Sequence, residues 1–121
     1  MRRIFVYGTL MKGYRNHIVL LGSKCIEKEA VLEDYAMYDT GAYPAVIPQK
    51  GSKVKGEIYL VGEGKIKILN MIEAEGVLYK LTPVKLNTKS GETEGETYIY
   101  LQNVEGMRYV PFENQPWRPN V

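Results

Sequence analysis

The residues best suited to chemistry lie in two short stretches, a glycine turn at the end of an apolar run and a carboxylate near the end of an amphipathic segment. In Arg3-Ile4-Phe5-Val6-Tyr7-Gly8-Thr9-Leu10 the β-branched and aromatic run stops at Gly8. A glycine in that place, with Thr9 next to it, leaves backbone N–H groups pointing outward with no side chain blocking approach. Such a turn makes a cradle for a carboxylate or an oxyanion, and it also occurs as a tight turn that a fold needs for its own sake. Glu73 comes after Ile66, Leu69 and Ile72, apolar residues three apart. Beside core-facing neighbours its carboxyl would be partly desolvated and its pKa raised toward neutrality, as a general acid/base requires. On an exposed helix end beside Glu75 it would be an ordinary solvated glutamate, and position alone does not choose between the two.

Other chemistries have less to stand on. His17 is the only histidine and Cys25 the only cysteine, so neither a Ser-His-Asp triad nor a Cys-rich zinc site is supported, and no intrachain disulfide can form. A reducing cytoplasm fits that cysteine usage. Gly8 lacks Gly-Lys-Ser/Thr at the required spacing after it, which sets nucleoside triphosphate hydrolysis aside. The net charge of +2 is small and the basic residues are interspersed with acidic ones, so nucleic acid is not an expected partner. No segment has the length and apolarity of a signal peptide core or a membrane span. Ten tyrosines are many for 121 residues; Tyr7, Tyr38, Tyr43 and Tyr79 are candidates to line a pocket, and equally candidates for half-buried sheet positions.

Periodicity indicates the secondary structure that would carry these groups. A length of 121 residues with 45% hydrophobic and 25% charged residues indicates one folded domain over 1–121. Arg3 to Tyr7 predicts a strand buried on both faces. Between Gly13 and Gly22, Tyr14, Ile18 and Leu21 have helical spacing, with Asn16 as a cap. Cys25 to Ile47 reads as short strands joined by turns at Asp34, Asp39, Gly41 and Pro44. A polar turn at Gln49 to Ser52 precedes a strand over Val54 to Val61. Lys65 to Ala74 predicts an amphipathic helix that Gly76 would end, with Glu73 in its last turn. Leu78 to Leu86 and Glu96 to Leu101 predict a hairpin whose loop spans Asn87 to Gly95. The tail from Pro111 to Val121 has three prolines and would wrap the surface with Trp117 as an anchor. The fold class is α+β, a mixed barrel-like sheet of about six strands with two short helices.

Taken together, these residues resemble the γ-glutamylcyclotransferase-like family, in its γ-glutamylamine cyclotransferase or AIG2-like branch. Phe5-Val6-Tyr7-Gly8-Thr9-Leu10-Met11-Lys12-Gly13 is similar to the family's N-terminal Tyr-Gly-Thr/Ser-Leu/Asn signature, and Asn16-His17 with Leu21-Gly22 resembles the family's next segment. Tyr38-Asp39 and Ala42-Tyr43-Pro44-Ala45-Val46 resemble its aromatic-proline segment, and Val54-Lys55-Gly56-Glu57-Ile58-Tyr59 its Val-x-Gly-Glu-hydrophobic-Tyr strand. Leu69-Asn70-Met71-Ile72-Glu73-Ala74, with Tyr79-Lys80 after it, resembles the Leu-Asp-x-x-Glu-Gly…Tyr-Arg segment, with Asn70 in place of Asp and Ala74 in place of Gly. The resemblance, which spans roughly residues 3 to 101, implies the family's fold and its cyclisation of a γ-glutamyl amine or γ-glutamyl amino acid to 5-oxoproline, without a cofactor or metal. It implies Glu73 as the acid/base and Tyr7, Gly8, Thr9, Leu10 and Tyr79 as the substrate-binding set. The expected partner is a small γ-glutamyl substrate, and the expected assembly a monomer or small homo-oligomer. The alternative is a noncatalytic binding module that holds a small amino-acid-like metabolite in the same pocket.

Overall fold

The computed structural model describes residues 1–118. Strand β1 (Arg2–Val6) runs through the middle of the molecule, and the absence of polar alternation along Ile4-Phe5-Val6 has its cause in burial on both faces. Ile4 and Val6 join one apolar cluster with Leu20, Ile66, Leu69 and Tyr79, while Phe5 and Tyr7 join a second with Leu32, Met37, Ile58 and Trp117. Alternate residues of one strand thus hold two cores together. Each large apolar side chain buried there contributes roughly 1.5–3 kcal/mol.

Around β1 the remaining strands are β2 (Lys24–Asp39), β3 (Pro44–Val61), β4 (Tyr79–Thr88), β5 (Gly91–Tyr100) and β6 (Arg108–Val110). β1 pairs antiparallel with β3 and parallel with β5, and the other pairings are antiparallel. The order β3-β1-β5-β4-β2-β6 is joined by a further β2–β3 pairing, so five strands close a ring and β6 extends it from β2. The ring is thinnest between β2 and β4, where only Val31 and Asn87 pair. One α-helix, α1 (Glu63–Ile72), lies against the outside of the ring. The second helix expected from sequence is a single 3-10 turn, His17–Leu20. Asn16 does not cap that turn with its side chain; its amide nitrogen instead donates to Thr9 Oγ1.

Two expectations about turns are corrected. β2 and β3 are continuous strands of 16 and 18 residues, where short strands and a polar turn at Gln49 to Ser52 were expected. The turn-forming residues make bulges instead: Asp34 (φ 64°) and Gly51 (φ 88°) lie opposite one another, the Gly51 N–H donates to Asp34 Oδ1 at 3.0 Å, and the register shifts between Glu33 and Tyr35. A bulge bends a ribbon without ending its pairing. The β4–β5 hairpin is likewise tighter than the loop expected over Asn87 to Gly95, since pairing continues to Thr88 and Gly91. The polar residues there alternate along the exposed end of a two-stranded ribbon.

The tail behaves as its composition predicts as far as it is described; Pro119 and the rest of 119–121 lie outside the described residues. Trp117 is 2% exposed, its indole N–H donates to Asp39 Oδ1, and its carbonyl accepts the Tyr14 hydroxyl. Gln115 fastens the segment to β3 by accepting the Lys55 N–H at 2.8 Å and donating to the Lys53 carbonyl. Among the described residues no helix is long and apolar enough to cross a membrane.

Candidate active site

At the end of β1 the chain turns sharply, and Met11 N–H donates to the Gly8 carbonyl at 3.0 Å. The next two carbonyls are also engaged on the protein side. Asn16 N–H donates to the Thr9 carbonyl at 2.9 Å, and His17 Nδ1 lies 2.9 Å from the Leu10 carbonyl. The Asn16 amide also donates to Thr9 Oγ1 at 2.9 Å. Beyond the turn, Lys12 N–H donates to Glu57 Oε1, which also accepts the Tyr59 hydroxyl. With the carbonyls bound on one side, the N–H groups of Gly8, Thr9 and Leu10 have no acceptor among the described residues. Three successive unengaged donors form a concavity suited to an anion.

Beyond leaving the N–H groups unobstructed, glycine at position 8 has a steric reason. Gly8 is not among the residues of positive φ. A Cβ there would lie 2.6 Å from Pro44 Cγ and 2.9 Å from its Cδ. Gly8 is small so that the first residue of β3 can close over the turn. Gly56 has a similar task, since a Cβ on it would lie 2.3 Å from the Val6 carbonyl oxygen.

Opposite the turn stands the end of α1. The helix does not run to Gly76; it ends at Glu73, the C-cap residue, because Ala74 takes a left-handed conformation (φ 48°). Glu75 N–H donates to the Asn70 carbonyl at 2.9 Å and Ala74 N–H to the Met71 carbonyl at 3.2 Å, the two bonds of a Schellman ending. Glu73 is half-buried, and no hydrogen bond or ion pair to its carboxyl is present among the described residues. Burial without a compensating partner pushes its pKa up to about 7.

Tyr7, Gly8, Thr9, Leu10, Glu73 and Tyr79 line one pocket, together with Phe5 and Val6 of β1 and Tyr43, Pro44 and Tyr98. Three tyrosine hydroxyls of the pocket are committed as donors elsewhere: Tyr7 to the Tyr98 carbonyl, Tyr79 to the Pro44 carbonyl at 2.6 Å, and Tyr98 to Asn70 Oδ1 at 2.7 Å. Burial, with the charge of Glu73 adding to it, raises the pKa of each well above the ordinary tyrosine value. They therefore remain protonated and leave Glu73 as the group that titrates. Tyr38 is not at this pocket; its hydroxyl donates to Gln49 and its ring packs edge-on against Tyr109. Tyr98, Pro44 and Asn70 were not singled out as site residues by sequence reasoning. The parallel β1–β5 pairing that brings Tyr98 beside Tyr7 has no local signature.

The model of the family described as "Gamma-glutamyl cyclotransferase, AIG2-like" matches residues 4–119. The chain belongs to that family. It is 40% identical over 119 residues, 98% of this chain and 96% of the other, to a Vibrio cholerae protein named "Putative gamma-glutamylcyclotransferase". It is 29% identical over 140 residues, 93% of this chain and 83% of the other, to the gamma-glutamylaminecyclotransferase of Bos taurus. Among solved structures, an AIG2-like protein from Mus musculus superposes with a TM-score of 0.73 at 26% identity, covering 95% of this chain and 99% of that one. As a member of the γ-glutamyl cyclotransferase family the chain departs from the sequence pattern at Asn70 and Ala74, and both now have a physical setting. Asn70 Oδ1 accepts the Tyr98 hydroxyl without placing a second charge beside Glu73. Ala74 adopts the left-handed conformation that glycine takes without the Cβ penalty.

Proposed function

We propose that this protein cyclises a γ-glutamyl amine or γ-glutamyl amino acid to 5-oxoproline and releases the free amine. The observation that carries the reading is the Glu73 carboxyl, unpartnered among the described residues and with its pKa at about 7, in one pocket with three backbone N–H groups that no described residue engages. The ionised carboxylate takes a proton from the substrate's α-ammonium. The freed amine attacks the γ-carbonyl carbon, a C–N bond forms within the substrate, and the bond to the leaving nitrogen breaks. Glu73 then returns its proton to that nitrogen, so one group near neutrality serves as base and acid in turn. The N–H groups of Gly8, Thr9 and Leu10 grip the substrate α-carboxylate, and Tyr7 and Tyr79 wall the curled chain. Holding the amine against the carbonyl supplies the orientation that an intramolecular attack exploits.

Residues 1–121 act in this reading as one domain, and the lone thiol of Cys25 suits a reducing cytoplasm. The test is 5-oxoproline release from a panel of γ-glutamyl amino acids and γ-glutamylamines by the intact protein and by Glu73→Gln. The variant should lose at least about 10²-fold in kcat, the lower end for a general acid/base. Equal turnover by both would remove Glu73 from the mechanism, and ligand binding without product from the intact protein would favour the noncatalytic module.

A further inference from the structure

A second cavity opens beside the cradle. It is lined by Thr9, Gly13, Tyr14, Arg15 and Trp117, has a volume of about 170 Å³, and shares Thr9 with the pocket at Glu73. The enclosed room at Glu73 is only about 30 Å³, and water occupies roughly 10–15 Å³ on the same measure. The variable part of a substrate must therefore extend out of the catalytic pocket, and the groove past Thr9 adjoins it at that shared residue. Its apolar wall is the pair Tyr14 and Trp117, whose ring centroids lie 6.0 Å apart. Its charge is Arg15, an exposed side chain whose guanidinium donates to the Ala42 carbonyl at 3.1 Å. Ala42 precedes Tyr43 and Pro44, which close over the cradle, so Arg15 is bound to the same loop that lines the catalytic pocket.

We infer that this groove is the leaving-group subsite, and that it selects γ-glutamyl α-amino acids with apolar side chains through Arg15. The inference rests on the cyclotransferase reading and deepens it by naming the substrate class. The α-carboxylate of the departing amino acid pairs with the guanidinium, which presents several N–H donors beyond the one on Ala42. The side chain lies along the half-buried Tyr14, which Trp117 backs from the core side. A leaving amine without a carboxylate leaves Arg15 without that partner.

The test compares kcat/KM for γ-glutamyl-leucine and for the γ-glutamyl derivative of 3-methylbutylamine, the same leaving group without its carboxylate. Intact protein should prefer γ-glutamyl-leucine by about 2- to 5-fold, the range of a solvent-exposed ion pair. Arg15→Gln should bring that ratio close to one, Arg15→Lys should restore part of it, and circular dichroism should show both variants folded, as expected for an exposed position. A ratio near one in the intact protein, or a ratio unchanged in Arg15→Gln, would overturn the subsite while leaving the cyclotransferase intact. Absence of 5-oxoproline from both substrates across the protein's pH range would overturn the reading itself and the subsite with it.

Discussion

The two sides of the pocket are held in opposite ways. On the cradle side nearly every polar group except the three N–H donors is engaged: carbonyls by Met11, Asn16 and His17, the threonine hydroxyl by Asn16, and the Lys12 amide by Glu57. On the other side, the Glu73 carboxyl has no hydrogen-bonding partner among the described residues and is fixed only by the backbone geometry of a helix ending. The first arrangement presents donors in a fixed geometry whose charge does not vary with pH. The second leaves an ionisable group in an environment that does not stabilise its charge, which is how a carboxylate comes to titrate near neutrality. Rigidity serves recognition here, and incomplete satisfaction serves proton transfer.

The most damaging way to break the cradle is to add one carbon to it. Gly8→Ala places a methyl within 2.6 Å of Pro44 Cγ, and a proline ring at the start of β3 has little freedom to retreat. We expect kcat/KM to fall by about 10²-fold, the scale of an ångström of misplacement near the reacting atoms, together with a loss of roughly 1–3 kcal/mol in stability from overpacking. Denaturant unfolding and turnover measured on the same preparation check both. Unimpaired turnover would show that the Pro44 contact does not set the cradle.

On the carboxylate side the sharper experiment is stability against pH. Glu73 titrates at about 7 in the folded chain and at its ordinary value of 4.5 when unfolded. The folded state therefore binds the proton more tightly, and stability falls as pH rises from about 4.5 through 7. Full ionisation across that shift costs on the order of 3 kcal/mol. Glu73→Gln, which cannot ionise, should match the intact protein near pH 4.5 and exceed it in stability at pH 8, while losing activity. The kcat/KM of the intact protein should rise with pH through about 7, because only the ionised carboxylate accepts the first proton. Parallel stability curves for the two proteins would mean that the carboxyl is solvated.

How much of this was legible in the sequence depended on how local the cause was. The β1 run, the α1 periodicity at Ile66 and Leu69 and the Trp117 anchor all express burial of particular side chains, whereas Ile72, expected on the same core-facing stripe, is 41% exposed because the helix ends there. The grouping of Gly8 with Glu73 came from family resemblance, since nothing in their spacing announces it. Asp34 and Gly51 misled because residues that tolerate positive φ serve bulges as readily as turns, and only the partner strand decides which. Tyr98 and Pro44 were missed because their roles depend on a parallel pairing and on a contact between β3 and a turn far from it in the chain, which a linear reading does not contain.

A gentler disturbance of the cradle acts through its support. Glu57 accepts both the Lys12 N–H and the Tyr59 hydroxyl, so Glu57→Ala loosens the far end of the turn without touching the pocket. Loss of about 1–2 kcal/mol in stability and roughly 10-fold in kcat/KM is expected, chiefly as a raised KM because the anion donors lose their fixed spacing. Glu57→Gln keeps an acceptor oxygen in the same place and should recover most of the loss. Failure of the glutamine to rescue would mean that the negative charge, and not the hydrogen bonds, matters at this position.

The smallest effect concerns the residue after the carboxylate. Ala74 sits at φ 48°, in a Schellman ending that fixes where α1 stops and hence where Glu73 points. A Cβ in that conformation costs about 1–2 kcal/mol, whereas introducing glycine costs about 0.4–1 kcal/mol through the greater freedom of the unfolded chain. The balance favours Ala74→Gly by up to about 1.5 kcal/mol, a rise of a few degrees in Tm. Thermal unfolding of the two proteins at one pH measures it. A lower Tm in the glycine variant would mean that the alanine methyl makes contacts worth more than its backbone strain, and the helix ending would then be stabilised by the side chain that the family pattern omits.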